Sequence, residues 1–173
     1  MYEMPMQPIP GRPTIPDYGI PEDENGLLPW DYVIERLENA VNYWVCTANQ
    51  ECQPHATPVW GVWNGDRLFF DGSPKTRRGR DLANNPKVSI HLEDGKEAVM
   101  LEGEAHEHKQ APYELRAALA AAYSRKYAQH GYEPTPEIWE KGGLYRFTPH
   151  IAYAWCDFPR DTTRWVFKSE NTE

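Results

Sequence analysis

The chain has 173 residues and a formal net charge of −8, a length that predicts one domain with room for an appended segment. The acidic balance argues against a nucleic-acid binder and against adhesion to anionic membranes. Aromatic residues make up 13%, with 7 Trp and 10 Tyr, which excludes wholesale disorder.

Residues 1–28 read as an extended arm outside the main domain. Pro5, Pro8, Pro10, Pro13, Pro16 and Pro21 block helix and central-strand formation there. Met, Ile, Tyr and Leu punctuate the same stretch, so it is expected to lie against a surface. Residues 1–38 hold eight acids against two bases, Arg12 and Arg36. That segment carries −6 of the −8, which leaves the remaining 135 residues at only −2.

Pro29-Trp30-Asp31 opens a helix, in which Trp30, Val33, Ile34, Leu37 and Val41 recur at helical spacing. From Tyr43 the period switches to two. Tyr43–Thr47 reads as a strand, Asn49–Gln53 as a turn, and His55–Trp63 as a second strand. Asn64-Gly65 marks a hairpin leading into Arg67–Asp71. Lys87–Glu93 and Glu97–His106 form another hairpin across Asp94-Gly95. Tyr113–His130 is helical, with Leu115, Leu119 and Tyr123 on one stripe; Ile138-Trp139 starts a short turn of helix. Leu144–Thr148, His150–Cys156 and Thr163–Lys168 close the domain. Six to seven antiparallel strands with flanking helices point to a mainly β (α+β) split barrel rather than a βαβ sheet.

The chemistry-bearing segment is Asp71–Leu82. Lys75, Arg77, Arg78 and Arg80 are four of the eighteen Lys and Arg in the chain. They follow an apolar strand in a loop with Gly72, Ser73 and Thr76. Positive charge beside hydroxyls and free backbone N–H groups suits a phosphate. Asp81 and the following Leu-Ala-Asn-Asn suggest that a helix starts there and adds its dipole, with Asp81 capping it or pairing with an Arg. A solvated basic loop is the plainer alternative. The strand at 53–63 has two readings as well. Pro58 implies an edge or a break, and Gly61 permits close approach. Together they make a wall for a flat ring, or else a core strand carrying two Trp.

Other features carry less. Glu104, His106 and His108 alternate, a spacing able to hold a metal, but the interleaved Glu107 and Lys109 favour a solvated strand end. No metal site is expected. Cys46 reads as buried. The three cysteines, Cys46, Cys52 and Cys156, are odd in number, and no secretory signal precedes them. No apolar run approaches the ~20 residues of a membrane span. A cytoplasmic protein is the expectation. No nucleophile elbow, P-loop or dinucleotide-binding glycine pattern occurs, so no catalytic residue is assigned.

The order "NYWVCT", "PHATPVWGVW", "NG", "RLFF", "TRRGRDL", "NPKVSIHLE", "IAYAW", "TTRWVF" over residues 27–168, with "GLLPW" before the first helix, resembles the flavin- and deazaflavin-dependent split β-barrel oxidoreductases of the pyridoxamine 5′-phosphate oxidase-like superfamily. The resemblance implies a homodimer with FMN, or alternatively the deazaflavin coenzyme F420, in a groove at the subunit interface. It implies hydride transfer to or from a small organic substrate. The strand matching Pro58–Trp63 would flank the ring, with Pro58, Val59, Trp60 and Gly61 as candidate contacts. The family form S-R-K-A-R-N-L aligns with Thr76–Leu82. That makes Thr76, Arg78 and Arg80 the first phosphate contacts, and Ser73, Lys75 and Arg77 the second. Trp165 would either cover the cofactor or pack inward on the barrel. The family's R-x-V-L-L-K strand and C-terminal R-L-x-P are absent, which speaks against the vitamin B6 reaction itself. A flavin-binding or cofactor-storage protein without turnover is the alternative function.

Overall fold

The computed structural model describes residues 8–168; the first seven residues of the expected arm and the last five of the chain lie outside the described residues. Among these, nine strands form one antiparallel sheet in the order β1-β9-β8-β7-β6-β2-β3, and a β4–β5 hairpin joins it through β8. The strands are β1 (Ile9–Gly11), β2 (Tyr43–Ala48), β3 (Pro54–Val59), β4 (Gly61–Asn64), β5 (Arg67–Asp71), β6 (Lys87–His91), β7 (Ala98–Glu107), β8 (Leu144–Trp155) and β9 (Thr163–Val166). The helices are α1 (Trp30–Asn39), α2 (Arg77–Asn84) and α3 (Tyr113–Tyr127), followed by 3-10 turns at Ala128–His130 and Pro136–Trp139.

The split is built into β8. Its first half, Leu144–Phe147, pairs with Asp71–Leu68 of β5, and its second half, Ile151–Ala154, pairs with β9. Two strands expected here are thus one. The interruption at Pro149 survives as a register shift opposite Glu102/Gly103 of β7. A bulge accepts a residue that cannot donate to the ladder while the strand continues past it.

The expected His55–Trp63 strand is instead two. β3 pairs with β2, and β4 pairs with β5. Between them Trp60 stacks on Tyr127, with ring centroids 4.9 Å apart and planes 14° from parallel. The Gly61 N–H donates to the Tyr127 hydroxyl at 3.0 Å. A Cβ at Gly61 would lie 2.9 Å from the Phe69 carbonyl, so the chain turns where only glycine passes.

Part of the arm belongs to the sheet. Ile9–Gly11 pair with Val166–Arg164 as β1. Arg12 then ties the following segment down, donating to the carbonyls of Asp23, Asn25, Arg160 and Thr162. A Pro-rich segment tolerates an edge position because one side of an edge strand needs no donors.

Two cores result. The barrel interior holds Val45, Leu68, Phe70, Ile90, Leu101 and Phe147, closed by Val33 and Leu37 of α1. A second core, with Leu119, Tyr123, Tyr127 and Trp139, packs α3 on the outer face of Val62 and Phe69. Residues 119, 123 and 127 recur every fourth position, which makes one helix stripe.

A half-buried lysine borders the second core. Lys126 Nζ donates to the Tyr43 hydroxyl at 2.8 Å and to the Gly61 carbonyl at 3.2 Å. Burial pushes its pKa down from 10.5 to about 8. Between pH 8 and 10.5 the unfolded chain therefore binds more protons at this site than the folded one, and stability rises with pH. Urea unfolding of the native protein and Lys126→Met across this range should show wild type gaining stability relative to the variant. A pH-independent difference would contradict the cause given for the shift.

Candidate functional site

The 72–82 loop and the β3 strand, distant in sequence, meet at the N-terminus of α2. The helix starts four residues before the position expected from Asp81. Thr76 is the N-cap, and its hydroxyl accepts from the Gly79 N–H at 3.1 Å and donates to the Ser73 carbonyl at 2.8 Å. An N-cap of this kind satisfies an otherwise orphaned helix donor. Gly79 lets the first turn press on the loop, since a Cβ there would lie 2.7 Å from the Pro74 backbone.

With the turn so placed, two arginines reach β3. Arg77 Nη2 donates to the Pro54 carbonyl at 3.3 Å. Arg78 Nη1 donates to Thr57 Oγ1, and Nη2 to the Asp71 carbonyl, both at 3.3 Å. Burial lowers the Arg78 pKa, but a guanidinium stays charged at neutral pH. Gly72 makes the room: a Cβ there would come within 2.5 Å of Arg78 Nη2. Arg78 Nε is buried without a hydrogen-bond partner. Lys75 and Arg80 stand exposed at the rim, with Arg80 anchored to the Lys75 carbonyl.

Asp81 neither caps the helix nor faces the rim. It is 5% exposed, accepts from Thr47 Oγ1 at 2.9 Å, and lies 3.9 Å from Arg77 Nε. Its charge is thereby directed under the helix and away from the loop. Asp71 anchors the other side. Its carboxylate accepts from the Tyr132 hydroxyl and from Trp139 Nε1, and its carbonyl receives Arg78. Thr57 and Asp71, the two residues that hold Arg78, carry no signal in the sequence, because both contacts are made across strands.

Of the expected contacts, Ser73, Lys75, Thr76, Arg77, Arg78 and Arg80 gather around this turn, and Pro58 is exposed on the adjacent edge strand. The Thr76 hydroxyl is already occupied as the cap, and its backbone N–H donates to the Ser73 carbonyl at 3.1 Å. The other four expected contacts are placed as follows. Val59 points into the barrel core at 7% exposure. Trp60 turns toward α3. Gly61 is buried, with its N–H and carbonyl both engaged by Tyr127. Trp165 is 1% exposed and packs edge-on against Trp30, centroids 5.5 Å apart, so inward packing is what the barrel imposes on it. Cys46 is half-buried rather than buried. His106 pairs with Glu104 at 3.3 Å. Among the described residues, no group of three or more His, Cys, Asp or Glu gathers as a metal site. No helix among them is long and apolar enough to cross a membrane.

The donor set fits a phosphate group. A fixed guanidinium with a free N–H, two exposed cations and the hydroxyl of Ser73 surround the start of a capped helix.

An antiparallel barrel split along one long strand, with a basic helix start beside its open edge strand, defines a protein of the split β-barrel class. The family model for pyridoxamine 5'-phosphate oxidase matches residues 33–156, more than half of the chain, and the chain belongs to that family. Solved structures carry the same fold. A conserved hypothetical protein from Mycobacterium tuberculosis aligns with a TM-score of 0.60 at 18% identity, covering 77% of this chain and 88% of that one. An F420 reductase aligns with a TM-score of 0.53 at 17% identity, over 68% of this chain and 93% of that one. The heme storage protein HutZ from Vibrio cholerae aligns with a TM-score of 0.52 at 20% identity, over 69% and 86%. These likenesses bear on the fold. No curated protein matches the sequence.

Proposed function

We propose that the chain is an oxidoreductase that holds FMN, or the deazaflavin F420, by its phosphate at the α2 start and exchanges hydride with a small organic substrate. The observation that carries this reading is Arg78: a half-buried guanidinium braced by Thr57 and Asp71, with its buried Nε unpartnered, at the junction of the basic loop and the β3 edge. When bound, the ring supplies two-electron hydride chemistry, and the protein supplies binding, orientation and exclusion of water. Arg78 and Arg80 would hold the phosphate, with Ser73, Lys75 and Arg77 around them. Pro58 on β3 would flank the ring.

Among the described residues, β3 has no strand partner on the side away from β2. A ring seated there is shielded only if another body covers it, and we propose a second copy of this chain in that role. Light scattering should then give a dimer; a monomer would contradict it. The family name does not by itself bring the vitamin B6 reaction, whose R-x-V-L-L-K and R-L-x-P motifs are missing from this sequence.

Storage or carriage of a cofactor without turnover is the second reading. It is favoured by the composition of the site, where the groups near Arg78 bind charge and none is assigned as a proton donor. The two readings separate on one assay. Reduced FMN and reduced F420 are each mixed with the protein and a panel of quinones and enones. Accelerated oxidation of either cofactor supports the enzyme. Tight binding with no acceleration overturns it in favour of storage.

A further inference from the structure

A second pocket, of about 490 Å³, opens on the opposite flank of α2, between the helix and the adjoining ends of β7 and β8. Its floor contains Tyr145, and its rim contains Arg80, Lys109, Glu107 and His106. Tyr145 is 2% exposed, yet its buried hydroxyl has no hydrogen-bond partner. Native interiors rarely leave such a group unmatched, and a bound ligand or water is the usual resolution. The ring cannot swing to find a partner, because it is stacked on Phe70 with centroids 5.3 Å apart and planes 6° from parallel.

The surrounding groups select what would fill the site. Arg80 spends one N–H on the Lys75 carbonyl and keeps the others. Lys109 is exposed and meets Glu107 Oε2 at 3.6 Å. Glu107 is the acid on this rim, and its Oε1 already accepts the Gly143 N–H at 2.9 Å. Burial, and next the Glu107 carboxylate, push the Tyr145 pKa up against the opposing pull of Arg78, so the hydroxyl keeps its proton and can donate. Donors and positive charge therefore outnumber acceptors. A cation would be repelled, and a water would satisfy the hydroxyl but leave the two cationic side chains unused. An acceptor-only group matches all three donors at once.

We propose that this pocket binds a small molecule bearing carboxylates, with Tyr145, Lys109 and Arg80 as its donors, at a site separate from the phosphate groove. The two sites share Arg80 but lie on different flanks of α2. The pocket's volume admits a small organic acid rather than a single ion.

Citrate is the probe that tests this, titrated into the full-length protein by calorimetry at ionic strength held constant with potassium chloride. Wild type should saturate at one citrate per chain. Tyr145→Phe, which keeps the ring and its stacking, should weaken citrate at least about tenfold, and so should Lys109→Met on the exposed rim. Both variants should bind FMN within about twofold of wild type. Equal citrate affinity in wild type and both variants would overturn the proposal, as would no citrate binding at all. Citrate that competes with FMN and is insensitive to both substitutions would place the anion in the Arg78 groove, and this too overturns it. Loss of FMN binding sites in wild type with citrate binding intact would count against the phosphate reading alone.

Discussion

Replacing Arg78 and Arg80 together with alanine should weaken FMN or F420 affinity by well over tenfold in a calorimetric titration. Each charge-assisted bond to a phosphate oxygen contributes about 1.5–3 kcal/mol, and about 1.4 kcal/mol is a tenfold change. Arg78 accounts for most of the effect, because it is held in place before any ligand arrives: Thr57 and Asp71 fix both terminal nitrogens. A donor already oriented loses little freedom on binding. Arg78→Lys refines the test. It retains the charge but replaces a planar fork by a point charge that cannot bridge Thr57, Asp71 and a ligand together. Its affinity should fall between wild type and the alanine variant. Unchanged affinity in Arg78→Ala/Arg80→Ala would move the phosphate site elsewhere on the barrel.

Gly79→Ala should damage both the fold and the site. The added methyl would sit 2.7 Å from the Pro74 backbone, closer than real Cβ atoms come. Because the obstacle is backbone, no side chain can rotate away. The first turn of α2 must lift from the loop, which also strains the Thr76 cap on the Gly79 N–H. Overpacking of this kind costs about 1–3 kcal/mol, and a lost cap adds about 1 kcal/mol. Urea unfolding should show the stability loss, and cofactor affinity should drop about tenfold or more as Arg77 and Arg78 shift from β3. Alanine is otherwise the better helix former, so a stabilised variant would show that the loop yields freely and that the turn is not rigid.

What could be read from the sequence follows the range of the interactions involved. The hairpins at Asn64-Gly65 and the Asp94-Gly95 turn are local, and Arg67–Asp71 and the paired β6 and β7 appear where the pattern put them. The basic loop was visible as a run of charge, and its helix was visible too, though its start at Thr76 depends on a cap that competed with Asp81 as the apparent signal. The hidden parts are those decided across the sheet. Trp60 and Gly61 look like a continuous strand until Tyr127, 66 residues away in sequence from Gly61, claims the backbone between them. Pro149 looks like a strand end until a bulge opposite Gly103 absorbs it. Trp165 reads as a core aromatic slightly ahead of a surface one, and its contact with Trp30 of α1 decides for the core. In the candidate site the arginines were legible; their holders Thr57 and Asp71 were not, since each is an ordinary strand residue until α2 folds over it.

The α2 start, with Arg78 at its centre, is proposed as the site of a phosphorylated redox cofactor. Titration of the purified full-length protein with FMN and, separately, with F420, followed by calorimetry and by visible absorption, tests it most directly. One of the two should bind at one per chain, in the micromolar range or tighter, with a perturbed ring spectrum and with affinity lost in Arg78→Ala. Binding of neither cofactor would contradict it, and so would binding that Arg78→Ala leaves unchanged.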